Sequence, residues 1–239
     1  MMDSFDRVID ERGIAELVGI VLDEPRKYSE RRDAVLDLCF YEADLPLEII
    51  KEIGQRPRFK FDASELLGNS SDEGKRDYAK ALLADRKCPY ILDNAIRALD
   101  WKLLSKEDVE ILIEIYDESK SVDVRSGILI ALTVCPVNDL ADLFVRAYKR
   151  ERLPYMKLNA LIGLWNSGSV EIASELLIEF ADKYKAKKSL GERTVVDLRA
   201  CVEDLGKMAQ MYPESAYEYA HKTLSSIDAL AEDEYDLEG

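Results

Sequence analysis

Residues 121–132 read SVDVRSGILIAL. Arg125, Ile128, Leu129 and Leu132 stand at offsets of three, four and seven from the first of them, which puts their side chains on one stripe of an α-helix. Four other stretches carry the same pattern: YSERRDAVLDL at 28–38, CPYILDNAIRAL at 88–99, LPYMKLNALIGL at 153–164 and TVVDLRACVEDL at 194–205. The units start at Arg31, Leu92, Arg125, Lys157 and Leu198. Three residues on stand Ala34, Ala95, Ile128, Ala160 and Cys201, mostly small, so that a neighbouring helix can approach closely. Four on stand Val35, Ile96, Leu129, Leu161 and Val202, and seven on stand Leu38, Leu99, Leu132, Leu164 and Leu205.

A weaker unit starts at Lys60, with Ala63, Ser64 and Leu67 in the matching columns. The six starts are then separated by 29, 32, 33, 32 and 41 residues. A period in this range belongs to a solenoid of helical hairpins. Amphipathic stretches precede most motif helices. The clearest are Val109–Tyr116, Leu140–Tyr148 and Val170–Tyr184. Ser105 before Lys106-Glu107-Asp108 is a helix start, and Asn138-Asp139 and Ser169 are expected to cap the next two helices. Earlier outer helices are expected within 3–22, with a break or a bend at Gly13, at about 46–53 and at about 72–84. A last helix after Pro213, roughly 214–230, has no hairpin partner in this scheme and is read as a cap on the apolar end of the stack. The fold class is therefore all-α, a single solenoid domain over 1–230 followed by an acidic, flexible tail at 231–239.

The net charge is −15. Residues 228–239 hold six acids and no base, which leaves −9 on the first 227 residues, so the body is acidic in its own right. That argues against a nucleic-acid backbone as ligand, since such affinity rests on Lys and Arg neutralising phosphates, and it favours a basic protein partner. Cys39, Cys88, Cys135 and Cys201 are scattered, form no CxxC pair and read as reduced thiols packed as small hydrophobes. The N-terminal stretch MMDSFDRVIDERG lacks the apolar core of a signal peptide, and the longest apolar run, 127–134, is too short to cross a bilayer. The chain is expected to be cytoplasmic and membrane-free.

SVDVRSGILIAL resembles the second helix of a HEAT repeat, with Asp123, Val124 and Arg125 matching that family's Asp-x-Arg start. Arg31, Lys60 and Lys157 keep a base in register with Arg125, while Leu92 and Leu198 do not, and Asp123 has no acidic counterpart in the other units. The resemblance implies a right-handed superhelix whose motif helices line a concave face. It also implies a default function, since HEAT-like proteins are mostly adaptors and scaffolds. A second implication comes from HEAT-like DNA alkylation-repair glycosylases, which place tryptophans, an aspartate and an arginine on that face. Trp101, Trp165, Asp93, Asp100 and Arg125 are the residues of this chain that such a role would use. The acidic charge disfavours it.

No catalytic constellation is evident. The single histidine, His221, has no Ser or Cys paired to it by any pattern, and scattered Cys with one His give no zinc site. No metal and no cofactor is expected. Two surfaces remain as binding candidates. One is the concave face, represented by Tyr90, Asp93, Asn94, Trp101, Arg125, Tyr155, Lys157, Asn159 and Trp165, where aromatics stand beside polar residues. The other is a basic link, Lys183, Lys185, Lys187, Lys188 and Arg193, which either complements a helix C-terminus or forms an anion patch. The expected function is a non-enzymatic protein-binding module, whether adaptor, scaffold or an inhibitor of the immunity type.

Overall fold

The computed structural model describes residues 11–137 and 139–230. All regular structure among them is helical, with no strand. The chain divides into two compact units, Met1–Ile128 and Leu129–Gly239. The expected tail at 231–239 and residues 3–10 of the first outer helix lie outside the described residues.

The first unit contains α1 (Glu11–Leu22), α2 (Tyr28–Phe40), α3 (Leu47–Gly54), α4 (Lys60–Asn69), α5 (Lys75–Leu82), α6 (Pro89–Ala98) and α7 (Lys106–Glu118). Helix α8 (Val122–Val134) runs across the division. Helix α1 packs on α2, α3 on α4 and α5 on α6, and the motif helices α2, α4 and α6 pack one on the next. The columns behave as their spacing dictates. Leu38, Leu67 and Leu99 are buried, as are Ala34, Ala63 and Ala95 and, one residue further on, Val35, Ser64 and Ile96. Buried Ser64 is satisfied twice: its hydroxyl donates to Phe61 O (2.6 Å) and accepts from Asn94 Nδ2 (2.9 Å), a polar link that fixes α6 against α4. Gly13 sits inside α1 without breaking it, because the helix hydrogen bonds continue past it to Leu22.

Several first motif positions have a shared task. Arg31 Nε donates to Val21 O at the end of α1 (2.8 Å), and Arg125 Nη1 donates to Ser119 O (3.2 Å), the C-cap residue just past α7. In the second unit Lys157 Nζ donates to Tyr148 O in the last turn of the helix before it. Each cation meets the carbonyls that a helix C-terminus leaves unpaired and the negative end of its dipole. Leu92 and Leu198, which lack the base, are buried instead. Lys60 forms an ion pair with Asp85 at 2.5 Å.

Two loops of the first unit are sewn together by aspartates. Asp72 accepts from Leu47 N (3.1 Å), capping α3 from a distant loop, and from Gly74 N (2.8 Å). Asp44 accepts from Ser71 N (2.8 Å) and Ser70 Oγ donates to Leu45 O (2.7 Å). Ser105 forms a complete capping box with Asp108 at the start of α7, as its sequence predicts. Asp108 is also paired with Lys80 (2.7 Å) and Arg76 (3.1 Å) of α5.

The second unit contains α9 (Ala141–Arg150), α10 (Pro154–Asn166), α11 (Val170–Lys185), α12 (Glu192–Met211) and α13 (Ala216–Ser225). Helix α10 packs on α9, α11 and α12. The expected caps differ here. Leu140 precedes α9, Asp139 adopts a positive φ of 73°, Asn138 lies outside the described residues, and Ser169 makes no side-chain cap. Helix α13 has partners after all: it packs against both α11 and α12 and buries Tyr217, Ala220, Thr223 and Leu224. The wide last interval of the repeat is filled by long helices, with 16 residues in α11 and 20 in α12.

Candidate functional site

Burial of the stripe at offsets three, four and seven leaves a second, more exposed stripe on the motif helices α2, α4 and α6. In the first unit that free stripe holds the residues two before, one after and five after the motif start. On α4 it carries Phe61 and Glu65, and on α6 Tyr90, Asp93 and Arg97. Large side chains are exposed there: Tyr90 is 67% and Phe61 41% exposed, and on α2 Leu36 and Phe40 are exposed as well. Phe61 and Tyr90 meet edge to face, with ring centroids 5.4 Å apart.

Beside this pair an open groove of about 480 Å³ runs between α4 and α6, lined by Glu65, Gly68, Asn69, Asp93, Asn94 and Arg97. Asp93 Oδ2 accepts from Arg97 Nε at 2.9 Å one helical turn away, with the Arg97 side chain 65% and the Asp93 side chain 16% exposed. Its other oxygen, Oδ1, is buried without a hydrogen-bond partner. Gly127 on α8 faces it, and a Cβ there would sit 3.1 Å from Oδ1. Asn94 is held by Ser64. Of the sequence-predicted face, then, the structure brings together Tyr90, Asp93 and Asn94. Phe61 belongs with them and was missed. Its signal was available, since it occupies in the Lys60 unit the position that Asp93 occupies in the Leu92 unit.

The other predicted face residues are engaged elsewhere. Trp101 follows α6 in a 3-10 turn, where its indole Nε1–H donates to Ile96 O at 2.7 Å and so closes the helix C-terminus. Arg125 and Lys157 hold the ends of the preceding helices. Burial holds the Lys157 ammonium below its usual pKa, with Lys183 acting in the same direction. Tyr155 and Asn159 are half-buried on α10. Trp165 closes an aromatic cluster, 4.6 Å from Tyr217 and 5.6 Å from Tyr212 between ring centroids. Those partners lie far along the chain, and nothing near Trp165 in sequence announces them.

The basic link is split. Lys185, Lys187 and Lys188 line an open groove of about 340 Å³ together with Ser226, Ile227 and Asp228, while Lys183 and Arg193 are exposed outside that lining. Helices α11 and α13 both end at this groove, so the lysines offset two negative helix termini, and Lys187 also lies 4.7 Å from the Tyr184 ring centroid. Burial pushes the Cys39 and Cys201 thiols up to about 12, with nearby carboxylates adding to the effect, so neither is a nucleophile at neutral pH. Among the described residues no group of His, Cys, Asp and Glu is arranged to hold a metal ion, and no helix is long and apolar enough to cross a membrane.

Compared with protein-family models, with curated proteins and with solved structures, the chain matches none.

Proposed function

We propose that this chain is a non-enzymatic, HEAT-like α-solenoid module that binds a basic protein on the free face of its motif helices. The observation that carries this is the exposed Phe61–Tyr90 pair beside the carboxylates Glu65 and Asp93. Exposed aromatics next to charge are what protein-binding hot spots are made of. The net charge of −15 speeds encounter with a cation-rich partner and selects against acidic ones. Adaptor, scaffold and inhibitor are all roles such a surface serves. A cytoplasmic location is part of the proposal, in keeping with cysteines that stay as thiols.

The glycosylase-like alternative is weakened by the same residues that suggested it. The Trp101 indole is spent on a helix end, Trp165 is packed among tyrosines, and the groove beside Asp93 is lined by a second carboxylate, Glu65, and a single base, Arg97.

The test is capture from native extract at low salt by the wild-type chain and by Tyr90→Ala, with elution along a salt gradient. The expected result is a stoichiometric basic protein that leaves as salt rises and is retained poorly by Tyr90→Ala. Recovery of nucleic acid, or of a partner indifferent to Tyr90→Ala, contradicts the proposal.

A further inference from the structure

The first unit contains two aromatic pairs built across successive motif helices, and only one of them is covered. Tyr28, at the start of α2, stacks on Phe59, just before α4, with centroids 5.6 Å apart. The chain's own arginines cover that pair: the Arg58 guanidinium lies 4.7 Å from the Tyr28 ring centroid and Arg31 lies 5.3 Å from that of Phe59. One layer on, Phe61 and Tyr90 form the next pair, and among the described residues no cation lies over either ring. Glu65 stands one turn beyond Phe61 and Asp93 one turn beyond Tyr90, so carboxylates flank the open rings along both helices.

We infer that the Phe61–Tyr90 pair and the adjoining groove receive an arginine side chain from the partner polypeptide. The inference rests on the proposed binding of a basic protein and names the group that protein inserts. A guanidinium is planar and weakly hydrated, stacks on aromatic rings and meets a carboxylate through two parallel N–H donors. Lysine, a compact and strongly hydrated charge, makes neither contact as well. The groove of about 480 Å³ has ample room for one such side chain. Arg97, whose side chain is 65% exposed, swings out to water as the incoming guanidinium takes its place on the largely buried Asp93 carboxylate, which so keeps a cationic partner.

The experiment compares fluorescein-labelled hexa-arginine and hexa-lysine peptides binding to the full chain by fluorescence anisotropy, in wild type, Tyr90→Ala, Tyr90→Phe and Glu65→Gln. The two peptides carry equal charge, so general attraction to an acidic surface cancels. The wild type should bind the arginine peptide about five-fold more tightly, the size of an exposed cation–π contact. Tyr90→Ala should erase that preference, Tyr90→Phe should keep it, and Glu65→Gln should weaken the arginine peptide more than the lysine one. Tyr90 is exposed, so Tyr90→Ala retains its fold, which circular dichroism checks. Equal affinity for the two peptides in wild type, or a preference that survives Tyr90→Ala, overturns the arginine site and leaves the basic-partner reading standing. Failure to bind either peptide at low salt overturns both.

Discussion

Gly163 and Gly19 are both helical glycines, and the packing around them demands opposite outcomes on substitution. A Cβ at Gly163 on α10 would overlap the ring of buried Phe144 on α9, so the two helices meet only because no side chain intervenes. A Cβ at Gly19 on α1 meets nothing within 4 Å. Alanine is the better helix former at either position by about 0.5–1 kcal/mol. At Gly19 that gain stands alone, and Gly19→Ala should stabilise the protein by about that amount. At Gly163 the overlap outweighs it, and Gly163→Ala should destabilise by about 1–3 kcal/mol. Urea denaturation of the two variants reads both signs, and a stabilised Gly163→Ala would mean that α9 and α10 are not in close contact there. The sequence shows Gly163 within a motif helix, but only the partner's position reveals why glycine is required.

At the scale of elements, helix ends hold the unexpected chemistry. The leucine columns were legible because a period of three, four and seven follows from helix geometry alone, and Leu38, Leu99, Leu132, Leu164 and Leu205 are all buried. The basic residues that open several units were legible as a column but not as clamps, because their acceptors are carbonyls of the preceding helix, whose end must be located first. Arg31→Ala, which removes the donor to Val21 O, should cost about 2 kcal/mol, the size of a hydrogen bond from a charged group. The same thermal or urea unfolding detects it, and an unchanged midpoint would deny the clamp a role. Asp108 gives the start of α7 a pH dependence. Burial pushes its carboxyl upward, but Lys80 and Ser105 outweigh that and bring its pKa from 3.8 to about 2. A depressed pKa contributes stability above the ordinary carboxylate value, and that contribution is lost as pH falls through the folded value. The stability gap between wild type and Asp108→Asn should therefore be full above about pH 4 and close between there and about pH 2. A gap independent of pH across that window would show that the charge on Asp108 is not what holds Lys80 and Arg76.

Across the whole molecule, the motif helices differ in what they leave for the surface: α2, α4 and α6 keep an exposed stripe, whereas α10 buries even Leu158, one residue past its motif start. Tyr90, Asp93 and Asn94 were recognisable from sequence because they crowd the start of one motif helix. Phe61 was hidden because its unit is the weakest match to the pattern, with Ser64 in place of a large apolar residue. Trp101, Arg125, Lys157 and Trp165 read as surface residues by position, yet each has a contact within its own unit: a helix end for the first three, an aromatic cluster for Trp165. The measurement that bears most directly on the proposed binding face is hydroxyl-radical footprinting of the full chain, alone and with its captured partner. Oxidation of Tyr90 and Phe61 should fall on binding, while that of exposed Met211 in the second unit serves as the internal reference. Unchanged oxidation of Tyr90 and Phe61 in a saturated complex would contradict the account.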